Sequence, residues 1–117
     1  MPKLPVANPT GGLVPAIPLA IDEAVRYGDG AIVSRTLHKC KTGTLTLFAF
    51  DAGQELSEHT APFDAVVHVL EGSARLTIGG APVVVGAGAA VLMPADIPHS
   101  VRAEERLRMM LVMFRGG

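Results

Sequence analysis

The chain carries little charge, and what it carries is balanced. Only 18% of its 117 residues are Asp, Glu, Lys or Arg, with 10 basic residues against 11 acidic ones. Binding nucleic acid or an anionic membrane surface calls for a basic patch, and the few lysines and arginines are scattered along the sequence. Cysteine occurs once, at Cys40, so no internal disulfide can form, and the composition fits a reducing, cytoplasmic setting. No apolar run approaches the length of a bilayer-spanning helix, and the opening MPKLPVANPTGG lacks the apolar core of a signal peptide. Helical stretches are scarce as well. Pro2, Pro5, Pro9, Pro15 and Pro18 fall within residues 1–19 together with Gly11 and Gly12, a density that prevents a helix and disfavours a central strand. These absences leave a cytoplasmic soluble domain with neither a nucleic-acid nor a membrane partner.

What is present is apolar and strand-like. Hydrophobic residues make up 49% of the chain, enough for one domain with a real core and against bulk disorder. Residues 1–30 read as an N-terminal arm in which PLAIDEAVRYGDG has room for one or two helical turns, with Pro18 near the start and Gly28 at the end. From residue 31 to 115 the pattern changes to short runs rich in β-branched residues, such as AIVSRTLHKC, GTLTLFAFDAG, DAVVHVLEG, SARLTIGG and RLRMMLVMF, punctuated by Gly, Pro and Asp. Strands at such spacing predict an all-β sandwich or barrel. Gly79-Gly80 between two of them signals a tight hairpin. With no helices between the strands, a parallel sheet built from crossover helices is excluded.

Several strands are apolar on both faces. In the last, Leu107, Met109, Leu111 and Met113 alternate with Met110, Val112 and Phe114. A strand with one face in water alternates apolar with polar residues instead. Something must cover the second face, and a second copy of the chain, in a homodimer, is the simplest cover. The alternative is a second layer supplied by the chain itself.

Histidines supply the candidate chemistry. His59 opens SEHTAPFDAVVHVLEG, which also contains His68, and His99 closes GAGAAVLMPADIPHSV. Read alone, they are polar residues lining the mouth of a barrel. Their spacing says more. Gly53 precedes His59 by five intervening residues and Gly72 follows; Gly88, Pro94 and His99 form a second set. Together these resemble the two motifs of the cupin superfamily, small double-stranded β-helix (jelly-roll) barrels, over residues 31–115. The resemblance implies an all-β cupin barrel with a short N-terminal arm and at most one short helix. It also implies a divalent metal ion (Zn, Fe, Mn or Ni), which typical members hold with three histidines and one glutamate.

Here only His59 and His99 stand at matching positions. The second histidine of the first motif falls on Ala61 and the glutamate on Ala65; the second motif's glycine falls on Asp96 and its asparagine on Ala103. Two imidazoles alone leave most of a coordination sphere to water, so a divalent ion would be weakly held. His68 is a further candidate ligand. It lies an odd number of residues from Ala65, which turns it to the opposite face of a regular strand unless a bulge intervenes. His38 and Cys40, two apart in RTLHKCK, could share a strand face, but the flanking Lys39 and Lys41 suit an ordinary exterior.

Smaller roles complete the reading. Asp64 suits a capping or turn role after Pro62, Glu71-Gly72 a turn, and Asp96 a left-handed turn position; Met93 is placed to line the cavity, and Tyr27 lies outside both motifs. Three functions compete: an apolar pocket for a small molecule with a weakly held metal at His59 and His99, a metal-dependent dioxygenase or isomerase, and a structural homodimer without activity.

Overall fold

The strand DAVVHVLE, residues Asp64–Glu71, shows in small compass how the sequence builds the protein. Ala65, Val67 and Val69 are buried, while Val66, His68 and Leu70 between them are half-buried, the period of two that a pleated strand imposes. The computed structural model describes residues 11–115. Residues 1–10 of the arm expected over residues 1–30 therefore lie outside the described residues.

One helical turn, α1 (Ile21–Ala24), precedes nine strands: β1 (Ile32–Cys40), β2 (Gly43–Phe50), β3 (Glu55–His59), β4 (Asp64–Glu71), β5 (Ser73–Ile78), β6 (Ala81–Gly86), β7 (Ala90–Met93), β8 (His99–Arg102) and β9 (Leu107–Phe114). They form two antiparallel sheets, one of five strands in the order β1-β2-β9-β4-β7 and one of four in the order β3-β8-β5-β6. Neighbours distant in sequence, such as β4 beside both β9 and β7, give the jelly-roll connectivity. The all-β expectation holds, and α1 is the one short helix among the described residues. No helix among them is long and apolar enough to cross a membrane.

Turn chemistry fixes the registers. Ile78 pairs with Ala81, leaving Gly79 and Gly80 as a two-residue loop with φ of 57° and 81°, the double left-handed conformation of a hairpin turn that matches strand twist. Gly72, at φ 77°, has no room for a side chain, because a Cβ there would meet the Arg106 carbonyl oxygen at 2.2 Å.

The main core lies between the sheets and centres on Phe50, Val67, Val69, Leu76, Leu107 and Met109. A second cluster lies on the outer face of the five-stranded sheet. There Leu37, Leu47 and Ala49 pack against Ala24 and Val25, with Leu19, Ile21, Tyr27 and Met110 around them. So the chain's own segment around α1 covers part of the second apolar face, the part that includes Met110 of β9.

A polar clasp holds that segment down. Tyr27 donates its hydroxyl to Glu71 Oε1 at 2.5 Å. Arg108 donates to Glu71 Oε2 at 2.9 Å and, through its other terminal nitrogen, to the Asp22 carbonyl. The Arg106 guanidinium lies 5.0 Å from the centre of the Tyr27 ring and bonds Asp51 at 3.0 Å. Tyr27's pKa is pushed up to about 12 by burial and by the bond to Glu71. Glu71 is held below the ordinary carboxylate value by the Tyr27 and Arg108 hydrogen bonds. Glu71, expected in a turn with Gly72, is the last residue of β4, with the bend at Gly72, and it anchors the arm.

Candidate functional site

His59 ends β3 and His99 begins β8, and the register pairs them directly. Directly opposed residues of an antiparallel pair present their side chains on the same face. The irregularity between Leu56 and His59 in that ladder sets this pairing. The result is an Nε2–Nε2 distance of 3.2 Å, with the rings edge to face at 4.4 Å between centroids. His99 is buried, while His59 is exposed toward the mouth.

The other ring nitrogens fix the tautomers. His59 Nδ1 lies 2.9 Å from the Ser57 carbonyl oxygen, and His99 Nδ1 lies 3.0 Å from that of Ile97. A carbonyl can only accept, so both Nδ1 atoms carry hydrogen, and in two neutral imidazoles both Nε2 atoms present lone pairs. Two lone pairs at 3.2 Å need a hydrogen or a cation between them. Backbone carbonyls on the far nitrogens are also the orienting contacts that metal-bound histidines use. The bite fits an ion: two bonds of about 2.0–2.1 Å meeting at about 100° span this distance.

Beside the imidazoles lies a cavity of about 50 Å³ that opens to solvent at the mouth. Its wall includes Ala61, Phe63, Ala65, Met93, Val101, Met109, Leu111 and Met113. Apart from the imidazoles, no lining residue carries a nitrogen or oxygen in its side chain, and none is acidic. Ala61 and Ala65 occupy the positions of the absent histidine and glutamate, and their small side chains leave space. Ala65 pairs directly with Met93 of β7 on one side and Met113 of β9 on the other. Met93 was legible as a lining residue in the sequence. Met113, Met109 and Phe63 were not singled out, because their placement depends on which strands become neighbours.

The mouth is tied together by short polar contacts. Asp64 Oδ1 accepts the Ala95 N–H at 2.8 Å, and the Ala61 carbonyl accepts the Asp96 N–H at 2.8 Å. Asp96 has φ 63°, the left-handed turn expected of it. These bonds join the stretch from the end of β3 to the start of β4 with the turn before β8, next to both histidines.

His68 does not join the site. It lies on the outer face of β4, opposite Ala90 and Met110. The strand runs regularly from Asp64 to Val69, so an odd separation from Ala65 turns it away, and the bulge that could have reversed it occurs only after Val69. His38 and Cys40 line a separate shallow groove with Thr42, Leu45 and Val112. Hydrogen bonding with Thr42 holds the exposed Cys40 thiol below its usual range. Among the described residues no three His, Cys, Asp or Glu side chains converge as a metal cluster.

Residues 46–114 match the family model described as Cupin domain. In solved structures, the chain is similar to a conserved protein of unknown function from Streptococcus pyogenes, with 32% identity over 97% of this chain and 99% of that one, at a TM-score of 0.85. It is also similar to a cupin 2 conserved barrel domain protein from Leptotrichia buccalis, with 38% identity over 80% of this chain and 46% of that one, at a TM-score of 0.78. A cupin superfamily protein from Desulfitobacterium hafniense shares the fold at a TM-score of 0.83, with 20% identity over 92% of this chain and 98% of that one. No curated protein matches. Against the three-histidine, one-glutamate set, the residues present supply two donors with a metal-ready bite. Both remaining positions are alanine, so the set for a divalent ion does not fit.

Proposed function

This chain belongs to the cupin family, and from that membership we propose that it binds a small molecule in the barrel cavity. The apolar body of the ligand would lie against Phe63, Val101 and Leu111, and a polar head would engage the Nε2 atoms of His59 and His99. One observation carries the reading: an apolar cavity with paired imidazoles as its sole nitrogen donors among the described lining residues. Small-ligand sites have this composition, an apolar wall with a few convergent polar groups that fix orientation.

The test is ligand-induced stabilisation across a fragment set of apolar molecules with one hydrogen-bonding head. Binding at a hundred times Kd stabilises by about 2.7 kcal/mol, readable as a thermal shift. Ala65→Leu would fill the cavity and remove the shift while keeping the fold, and His99→Ala would weaken it. A shift that survives in Ala65→Leu would place the ligand elsewhere and sink the proposal.

A second reading, a metal-dependent dioxygenase or isomerase, draws on the bite of the two imidazoles and their carbonyl-bonded Nδ1 atoms. It needs an ion held firmly enough to leave open positions for substrate, and Ala61 and Ala65 withhold two donors. The ligand-binding reading asks for no group that the sequence has lost. A homodimer without activity is the third reading; it leaves the paired imidazoles without a role.

A further inference from the structure

We propose that the soft, neutral donors of the cavity form a copper(I) site, with His59 and His99 supplying nitrogen and Met93 and Met113 supplying thioether sulfur. The inference rests on the reading that this cavity is the functional site, and it goes further by naming a cation class that the histidine–glutamate pattern does not supply.

Three observations carry it. First, the imidazoles are prepared as ligands: both Nδ1 atoms are committed to carbonyls, and the Nε2 atoms stand 3.2 Å apart with lone pairs converging. Second, the position where a carboxylate would complete a divalent site is Ala65, and the residues paired with it on both neighbouring strands are methionines. Both line the same cavity as the two histidines. Thioethers select copper(I) among biological cations and imidazole also suits copper, so copper(I) satisfies both halves of the donor set. Third, the cavity wall contains no acidic residue. The Born cost of placing an ion among neutral donors grows with the square of its charge, so a divalent ion pays about four times the penalty of a monovalent one. An uncharged, sulfur-containing site therefore disfavours Zn(II), Mn(II) and Fe(II) and suits a soft monovalent ion.

The experiment is anaerobic titration of copper(I) into the protein against a chromophoric copper(I) chelator. It is done in a Cys40→Ser background, because the exposed thiol would bind copper by itself. One equivalent should be held, and copper K-edge absorption should show a mixed nitrogen and sulfur shell. Met93→Leu/Met113→Leu keeps the volume and apolar character of the wall. It should weaken copper(I) binding at least tenfold and remove the sulfur scattering, while the binding of zinc(II) stays unchanged. The fragment shift of the parent protein, measured without copper, reports on the pocket reading separately. Loss of copper alone therefore bears on this proposal, and absence of that shift bears on the pocket reading. If the double variant loses its β-rich circular dichroism, Met113→Leu alone decides, through a partial loss of sulfur scattering. Failure of the Cys40→Ser protein to retain copper(I), a shell of nitrogen and oxygen only, or unchanged affinity in the methionine variants would overturn the proposal.

Discussion

Ala65 faces Met113 directly across the β4–β9 ladder, at the position where the resemblance to metal-binding cupins would place a carboxylate. The pairing links a sequence departure to the chemistry of the cavity. The Met113 thioether lines the same cavity as Ala65, where a glutamate would otherwise stand. The site has lost a charge and gained polarisable surface at the same point.

Restoring the lost donors should therefore change the ion. Ala61→His with Ala65→Glu is expected to give stoichiometric zinc(II) or nickel(II) binding, measured by metal analysis after dialysis against a mild chelator. Without metal, Ala65→Glu alone should destabilise the fold by about 1–3 kcal/mol, because it buries a carboxylate without a partner. A double variant no better than the parent at holding a divalent ion would mean that the missing donors were not the limiting feature.

Single histidine variants separate the site from its surroundings. His59→Ala and His99→Ala should each reduce retention of copper(I) at least tenfold, because one imidazole is lost from a pair that shares one ion. His68→Ala should leave it within a factor of two, since His68 lies on the outer face opposite Met110. Copper content by mass spectrometry after chelator dialysis, in the Cys40→Ser background, gives the comparison. A large loss in His68→Ala with the fold intact would mean that β4 departs from regular pleating.

Much of this was legible in the sequence, for local reasons. The β-branched run in DAVVHVLE, the Gly79-Gly80 turn and the motif spacing around His59 and His99 are read within a few residues, and each marks an element directly. Long-range pairing is not local. The Met93–Ala65–Met113 row exists because β7 and β9 flank β4, an order that no short window contains. The clasp joins Tyr27 to Glu71 across 44 residues, and neither residue carries a motif. The cover over Met110 was expected from a second chain; part of it comes from the segment around α1, whose apolar residues Leu19, Ile21, Ala24 and Val25 are too few to show a clear helical face.

Part of the outer face lies beyond that cover. Leu92 remains 53% exposed on β7 and Phe114 51% exposed at the end of β9, and we propose that a second copy of the chain buries this side. Light scattering at micromolar concentration should return the mass of two chains, and Leu92→Glu should shift it toward one. A parent mass equal to a single chain would count against the homodimer.

Glycine at position 72 is a packing requirement, whereas glycine at 53 is a conformational one. Both have positive φ, 77° and 84°. A Cβ on Gly72 meets the Arg106 carbonyl oxygen at 2.2 Å, and a Cβ on Gly53 meets nothing within 4 Å. Gly53→Ala should cost about 1–2 kcal/mol, the strain of a left-handed alanine. Gly72→Ala adds a clash with backbone and should cost about 3 kcal/mol or more. Urea denaturation of the two variants gives the contrast, and equal costs would remove the packing argument.

The clasp makes stability depend on pH at the alkaline end. Tyr27 has a folded pKa of about 12 against an ordinary 10.0, raised first by burial and then by its hydrogen bond to Glu71 and the charge of that carboxylate. A raised value means that the native state holds the proton more tightly than the unfolded chain does. The resulting stabilisation is complete below pH about 10, where both states are protonated. It shrinks as pH rises toward about 12, because the unfolded state alone gains from losing the proton. Glu71 acts in the opposite sense. Its folded value is lowered by the Tyr27 and Arg108 bonds, so its contribution is present above the ordinary carboxylate value and is lost as pH falls through the lowered one. Tyr27→Phe should lower stability at neutral pH by about 1 kcal/mol, the net worth of one hydrogen bond. The gap between parent and variant should close between pH 10 and 12, as measured by urea denaturation at each pH. It should also narrow in acid, as Glu71 protonates. A gap that stays constant across the alkaline window would contradict the linkage, and no gap at neutral pH would show that Tyr27 contributes through its ring packing against Arg106 and not through the hydroxyl bond.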